Sequence, residues 1–490
     1  MKKSIFASLL LLECNFLLLT TGVSLFYHES DWKAFLFTAL LCLALGLTGR
    51  WLGRRSQDHY MSRTDNFLVV VVSWIVLSVI GTIPFVLVSD MDISSAFFET
   101  MSGVTTTGAT CISDIDSLSH GLKFWRSVLQ WMGGLGIVVF SIALIPSYEM
   151  KNTSIFSAEV PGVEVDKLRP KIASTARRLL LIYLALSLVC TIAYWAGPMN
   201  LFDAVCHSMT TIATGGFSTH TQSIAYYHST YLEYISPLFM VLSGVNFSLY
   251  YYMTIRRPQA LFHNEEFRTF LSIVGIMVVF FVLLFYFAPV PPENLASLPQ
   301  GFEERIRSAW FHVASVITST GYSAQKFDYV AWGSAFWMPT VLIMGIGSCA
   351  GSTAGGIKVI RLLIAVKTAF NEFIRQLHPR AVLAVRVNGQ VIPNNLIRRT
   401  LSFIIIYIML VVIGMVAYTF MGLDVDTGLG SCISMLSNVG PGTGLTGPAG
   451  NFFLVPAAGK WLMSFYMLVG RLEIYSVLFL FMPSYWKERR

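Results

Sequence analysis

Four short stretches of the sequence combine small hydroxyl side chains with glycine in the way that binding a dehydrated cation requires. They read Thr105-Thr106-Thr107-Gly108-Ala109, Ile212-Ala213-Thr214-Gly215-Gly216, Thr318-Ser319-Thr320-Gly321-Tyr322 and Ser437-Asn438-Val439-Gly440-Pro441. A monovalent cation stripped of water needs several oxygens around it. Extended backbone with its carbonyls facing one axis supplies them, and Thr hydroxyls add more. Such backbone uses conformations that glycine tolerates and bulky residues do not. The candidate binding residues are therefore Thr106, Thr107 and Gly108; Ala213, Thr214 and Gly215; Ser319, Thr320 and Gly321; and Asn438, Val439 and Gly440.

Two further features carry chemistry. The run from Gly345 to Gly356 holds five glycines in twelve residues (Gly345, Gly347, Gly351, Gly355 and Gly356), too many for a stable helix interior. It imitates a dinucleotide loop and a P-loop, but both of those follow a β-strand, whereas an apolar helix precedes this run. A flexible intramembrane loop is the expected form. Arg471 lies twelve residues into the last apolar segment, counted from Gly459, or roughly 18 Å of helix. Gly347 falls at a similar depth in its own segment. A charge in mid-membrane is a functional candidate by default, and Arg471 is expected to bond carbonyls of the loop or to repel cations there. Glu13 is expected to be a tolerated or structurally paired residue rather than part of the path, and His207 and His312 are expected to pack and hydrogen-bond rather than to sense protons.

These residues need elements to hold them, and the composition limits which. Of 490 residues, 54% are hydrophobic and 12% are charged. That is about half the charge of a typical soluble domain, so the chain is read as a polytopic membrane protein. Secreted, fibrous, disordered and nucleic-acid-binding classes are excluded. The seven cysteines form no C-x-x-C pair and read as small buried hydrophobes. Membrane-depth clusters of His, Asp or Glu that would mark an enzyme are not found, and no covalent cofactor is implied.

Ten apolar runs are long enough to span: 4–26, 34–51, 66–89, 124–146, 179–196, 234–254, 269–289, 334–357, 400–421 and 459–482. Four short Ser/Thr/Gly-rich segments, 96–110, 202–218, 309–323 and 428–444, each lie between two of them. The aligned glycines Gly108, Gly215, Gly321 and Gly440 are separated by 107, 106 and 119 residues, the mark of a repeated multi-helix unit. The expected division is 1–60 (two extra N-terminal helices), 61–150, 151–258, 259–390 and 391–490, the last four each a helix–pore loop–helix unit. Lys and Arg gather in alternate connections, among them Lys151–Arg178 and the stretch 371–399. The positive-inside bias then puts both termini in the cytoplasm and makes the four short segments re-entrant from outside. Each short helix would aim its partially negative C-terminal end at the membrane centre.

The third stretch is close to the Thr-Val-Gly-Tyr-Gly filter of potassium channels. With Gln130-Trp131-Met132-Gly133-Gly134-Leu135-Gly136 and Leu242-Ser243-Gly244-Val245-Asn246-Phe247, the chain resembles the membrane subunit of Trk-type bacterial potassium uptake systems (TrkH or TrkG), over nearly its whole length. The resemblance implies an all-α fold of four pseudo-symmetric units around one pore, plus two extra N-terminal transmembrane helices. It also implies potassium as the transported ion, a place in the bacterial inner membrane, a homodimer and a cytoplasmic TrkA-like nucleotide-binding regulatory subunit. Potassium uptake through a filter, gated by Gly345–Gly356 and Arg471, is the expected function. A sodium- or proton-coupled secondary transporter is the alternative; such folds show two repeats and broken helices rather than four units in one orientation.

Overall fold

The computed structural model describes residues 2–54, 63–149, 169–254, 259–325 and 328–487. The basic stretch Lys151–Lys167, with Arg55, Arg256, Arg257, Arg489 and Arg490, lies outside the described residues.

Two apolar helices, α1 (Lys2–Phe26) and α2 (Trp32–Arg54), form an N-terminal hairpin. Four units follow. The first contains α3 (Arg63–Gly81), α4 (Ile83–Ser89), α5 (Ile93–Val104) and α6 (His120–Glu149). The second contains α7 (Arg169–Trp195), α8 (Leu201–Ile212), α9 (Thr230–Gly244), α10 (Phe247–Thr254) and the single-turn α11 (Gln259–His263). In the third, α12 (Glu265–Phe287), α13 (Phe302–Ile317), α14 (Ser334–Gly345) and α15 (Val359–Leu377) lead into a hairpin of β1 (Arg386–Val387) and β2 (Gln390–Val391). The fourth contains α16 (Asn394–Phe420), α17 (Val425–Ser437), α18 (Ala457–Arg471), α19 (Tyr475–Leu478) and α20 (Pro483–Lys487).

The long helices are built inside out relative to a soluble protein. Only 22% of the apolar window of α12 is buried, and Ile276, Val279, Leu283, Ile405 and Ile408 stand exposed on α12 and α16. A face of that kind is stable against lipid and not against water. The short helices α5, α8, α13 and α17 are the opposite. At 12 to 16 residues they are about 18–24 Å long, too short to span, and they are buried along most of their length. Asp92 and Asn200 cap α5 and α8, accepting from the Ser95 and Asp203 amides at 3.1 and 2.8 Å.

Two of the expected continuous spans are broken. The run 234–254 bends by 93° between α9 and α10, and the run 459–482 bends by 114° between α18 and α19. At the second break Glu473 and Ile474 take positive φ, 58° and 46°, which ends the helix just below Arg471. The third break, after Gly345, falls where glycine content predicts it.

The N-terminal hairpin is tied to the first unit by side chains. Asp31 accepts from Ser119 at 2.5 Å and from Ser24, and Glu29 accepts from the His120 and Gly121 amides. Glu13 lies fully buried in α1, near Gly81. Between α15 and α16, Asn388 and Gly389 have φ of 50° and 77°, the pattern of a two-residue I′ turn. Asn388 Oδ1 accepts from the Glu265 amide at 2.7 Å, so the hairpin docks on the start of α12.

Close approach governs the centre. A methyl group on Gly133 of α6 would collide with the carbonyl of Val104, the last residue of α5. Gly133→Ala is expected to destabilise the fold by about 1–3 kcal/mol through overpacking. Thermal unfolding of the purified protein in detergent checks this, with Gly22→Ala as control because the space beside Gly22 is open.

Candidate functional site

Each short helix ends in the same backbone motif. After α5, the Thr106 amide donates to Gly103 O at 2.9 Å and the Thr107 amide to Ser102 O at 2.8 Å. The same pair of bonds recurs with Thr214 and Gly215, Ser319 and Thr320, and Asn438 and Val439. This is the Schellman arrangement, in which a left-handed residue lets the chain turn back on the helix end. The left-handed residues are Thr106, Thr214, Ser319 and Asn438, with φ from 52° to 55°. None is glycine, and for β-branched Thr the conformation is uncommon. Two residues further on, Gly108, Gly216, Gly321 and Gly440 have φ of 84°, 77°, 77° and 103°.

The second unit is therefore offset by one from the sequence alignment. Gly216, not Gly215, holds the position shared with Gly108, Gly321 and Gly440, and the matching triplet is Thr214-Gly215-Gly216 rather than Ala213-Thr214-Gly215. Two adjacent glycines hid the register, because sequence cannot tell which one carries positive φ.

These glycines close a ring. A Cβ on Gly108 would strike the carbonyl oxygen of Gly215; on Gly216, that of Thr320; on Gly321, that of Val439. A Cβ on Gly440 would come within 2.6 Å of Thr107 O. Each unit thus abuts the next and the fourth abuts the first. The carbonyls involved, of Thr107, Gly215, Thr320 and Val439, all belong to the residue just before the positive-φ glycine. They occupy one level around one axis.

On the α-helical side of this ring lies the glycine-rich loop. It is pinched at its base, where Gly347 N donates to Ile357 O at 2.8 Å and Ile357 N to Gly345 O at 3.0 Å. It is more firmly held than its propensity predicts. Ser348 Oγ donates to Ile317 O and Thr353 Oγ1 to Ile212 O, both at 3.1 Å, so the loop caps the last carbonyls of α13 and α8. The Gly355 amide donates to Ser319 Oγ at 2.8 Å, and Gly355 is pressed against Ser437 O. Gly351 O accepts from the Phe247 amide at 3.2 Å, docking the loop in the break between α9 and α10. The Glu266 carboxylate accepts from the Ala350 and Ile360 amides at 2.6 and 3.2 Å.

Two buried cations grip consecutive loop carbonyls. Arg471 donates to Thr353 O and, at 3.2 Å, to Gly133 O. Lys358 donates to Ala354 O. The depth count from the sequence thus brings Arg471 to the loop, and Glu473, two residues on, pairs with Arg361 at 2.7 Å.

On the other side of the ring is a cavity of about 80 Å³, lined in part by Gly108, Gly216, Gly321, Pro441, Arg126 and His220. Arg126 bonds Glu99 at 2.9 Å with both side chains buried, and it also donates to Ser218 O at 2.9 Å. Glu99 in turn accepts from the Cys111 amide at 2.9 Å. This pair fastens the strand leaving the first unit to that leaving the second. His220 lies between Asp116 and Asp203, at 2.6 and 3.3 Å, and stacks on Tyr226. His207 and His312 are buried and hydrogen-bonded, to Ser218 and Thr340 respectively.

Comparison with known proteins agrees with this architecture. A family profile described as a cation transport protein, TrkH, matches residues 32–488. The chain belongs to the TrkH family of cation transport proteins. It is 36% identical to the Trk system potassium uptake protein TrkH of Escherichia coli K12, over 95% of each chain. It is 33% identical to TrkG of the same organism, over 95% of this chain and 94% of the relative. The crystal structure of the potassium transporter TrkH from Vibrio parahaemolyticus superposes with a TM-score of 0.87 at 32% identity, covering 99% of both chains. The fold is thus the TrkH fold: a multi-pass inner-membrane protein of four pseudo-symmetric units with two additional N-terminal helices. Its family is one of transporters, not enzymes.

Within the TrkH-family chain, all four expected segments meet, as do Gly347, Gly351, Gly355, Gly356 and Arg471 at the loop. Gly345 ends α14 and contributes its carbonyl to the pinch. Sequence reading missed Gly216, Lys358, Glu266 and the Glu99–Arg126 pair. Glu99 and Arg126 were detectable as charges in apolar segments flanking a re-entrant turn, which mark function or pairing by default.

His220 yields a pH prediction. Partial burial pushes its pKa down, but hydrogen bonds to Asp203 and Asp116 outweigh burial and raise it. A raised histidine contributes stability that is full below its ordinary value near ~6.5 and is lost as pH rises through the native value. His207, Tyr226 and Tyr227 also face it. The excess thermal stability of the wild type over His220→Gln is expected to be greatest in mild acid and to shrink on the alkaline side; melting curves across that range check it.

Proposed function

We propose that the chain carries potassium across the membrane along the axis enclosed by Thr106–Gly108, Thr214–Gly216, Ser319–Gly321 and Asn438–Gly440. The closed ring of glycine-to-carbonyl approaches carries this reading. It is geometry that lines one path with oxygens from four walls, and oxygens that replace a hydration shell are what a potassium filter needs. Thr106 Oγ1, on one of the left-handed residues, is buried with no hydrogen-bond partner among the described residues, which leaves it free for an ion. Four short helices aim their C-terminal ends, with partial negative charge, at the same region. The relatives named as potassium uptake proteins have the same ion as their substrate.

The loop from Gly345 to Gly356 is the gate in this reading. Arg471 and Lys358 put two positive charges beside the axis under the ring, where water is excluded and a cation is disfavoured. Release of Thr353 O and Ala354 O would let the loop swing aside. The orientation follows the positive-inside bias: both termini and α15 face the cytoplasm. There Phe370, Phe373, Leu377 and Val382 stand exposed near Arg375, Arg380 and Arg386. That mixed apolar and basic surface suits a TrkA-like regulatory subunit, and the protein works as a homodimer.

Two measurements in proteoliposomes test the reading. Single Gly→Ser changes at 108, 216, 321 and 440 are expected to lower the preference for potassium over sodium while leaving the protein assembled. Wild-type ion competition in all four would refute a shared filter. Arg471→Ala, without any partner, is expected to raise basal potassium flux and to keep selectivity. A well-folded variant that conducts less than wild type would make the loop structural rather than gating.

A further inference from the structure

The four walls of the ring are not braced alike. In the first unit Thr107 Oγ1 bonds Thr105 Oγ1 at 2.7 Å, and Thr105 Oγ1 donates to Met101 O at 2.6 Å. The third unit repeats this with Thr320, Thr318 and Ala314 O, at 2.8 and 2.7 Å. A ladder of two hydroxyls thus ties each strand to the helix behind it. In the second unit the matching positions are Ala213 and Gly215, and neither has a hydroxyl.

The vacancy is filled from the neighbouring unit. Gln130 of α6 is fully buried. Its Nε2 donates to Gly215 O at 2.7 Å, and its Oε1 accepts from the Phe217 amide at 3.0 Å. A Cβ on Gly215 would run into Cδ, Oε1 and Nε2 of Gln130. Gly215 is not among the residues with positive φ, so its backbone would accept a side chain. It is glycine because the Gln130 amide occupies the place where its side chain would lie.

We propose that Gln130 is the positioning residue of the second wall: its amide replaces the hydroxyl ladder, fixing the carbonyl of Gly215 and the amide two residues on. Gln130 and Gly215 then form one unit, each requiring the other. Among the described residues the carbonyls of Thr107, Thr320 and Val439 have no such side-chain donor, so Gln130 acts on one wall of four. This rests on the filter reading above, because it gives a role in ion preference to a residue that touches no ion.

A double-mutant cycle read by ion preference tests it. Potassium and sodium flux would be measured in proteoliposomes for Gln130→Leu, Gln130→Ala, Gly215→Ala and the double variant Q130A/G215A, with monodispersity as a folding check. Gln130→Leu keeps volume and loses both hydrogen bonds; potassium preference is expected to fall by up to about tenfold, the scale of one or two buried hydrogen bonds. Gly215→Ala is expected to fall similarly, because its methyl displaces the amide. The double variant is expected to lose clearly less than the product of the two single losses, since each change removes the reason the other is harmful. Multiplicative losses in the double variant, or wild-type preference in Gln130→Leu, would overturn the proposal. A Gly321→Ala arm separates the two readings. If it too keeps wild-type preference, the filter itself is misplaced; if it loses preference while Gln130→Leu does not, only the role of Gln130 fails.

Discussion

Four helices end inside the protein at one level, away from water, and every helix end leaves carbonyls without intrahelical partners. An unpaired buried carbonyl costs about 1–3 kcal/mol, so this convergence has to be satisfied from within. The Schellman turns use some of the carbonyls. Ser348 and Thr353 of the glycine-rich loop take the last ones of α13 and α8. The loop's own carbonyls are met in turn by Arg471 and Lys358. The loop, the two cations and the breaks in α9–α10 and α18–α19 are therefore parts of one solution to a single hydrogen-bonding problem.

Buried charge is costly unless it is well bonded, and the chain uses it on both sides of the ring in different ways. On the cavity side Arg126 and Glu99 neutralise each other and bind the exit strands together. On the loop side Arg471 and Lys358 bond neutral carbonyls rather than carboxylates. Glu266 is spent on the loop amides at its base. The ring itself is left with backbone and hydroxyl oxygens.

Much of this was legible in the sequence. The fourfold period, the shortness of the re-entrant segments and the depth of Arg471 depend on counting residues, and counting survives folding. What was not legible depends on single dihedrals. Gly215 and Gly216 are interchangeable as letters, and only the backbone shows that Gly216 turns and Gly215 makes room. The bends after Gly244 and Arg471 were hidden for another reason: the apolar runs continue through them, so hydropathy reads one span where there are two helices. The loop was expected to be loosely held because propensity counts glycine as disorder. Its hydrogen bonds to two other units could not be foreseen from local composition.

The left-handed residue at the end of each short helix is Thr in two units, Ser in the third and Asn in the fourth. In a pore assembled from four identical chains, a change at such a place is made four times at once and the outcome tends to be all or nothing. Here the walls are written separately in one gene. Each can drift, be tested by selection and be kept without its counterparts following. A change to one wall can therefore be made in a quarter step, and the residues at this position already differ from unit to unit.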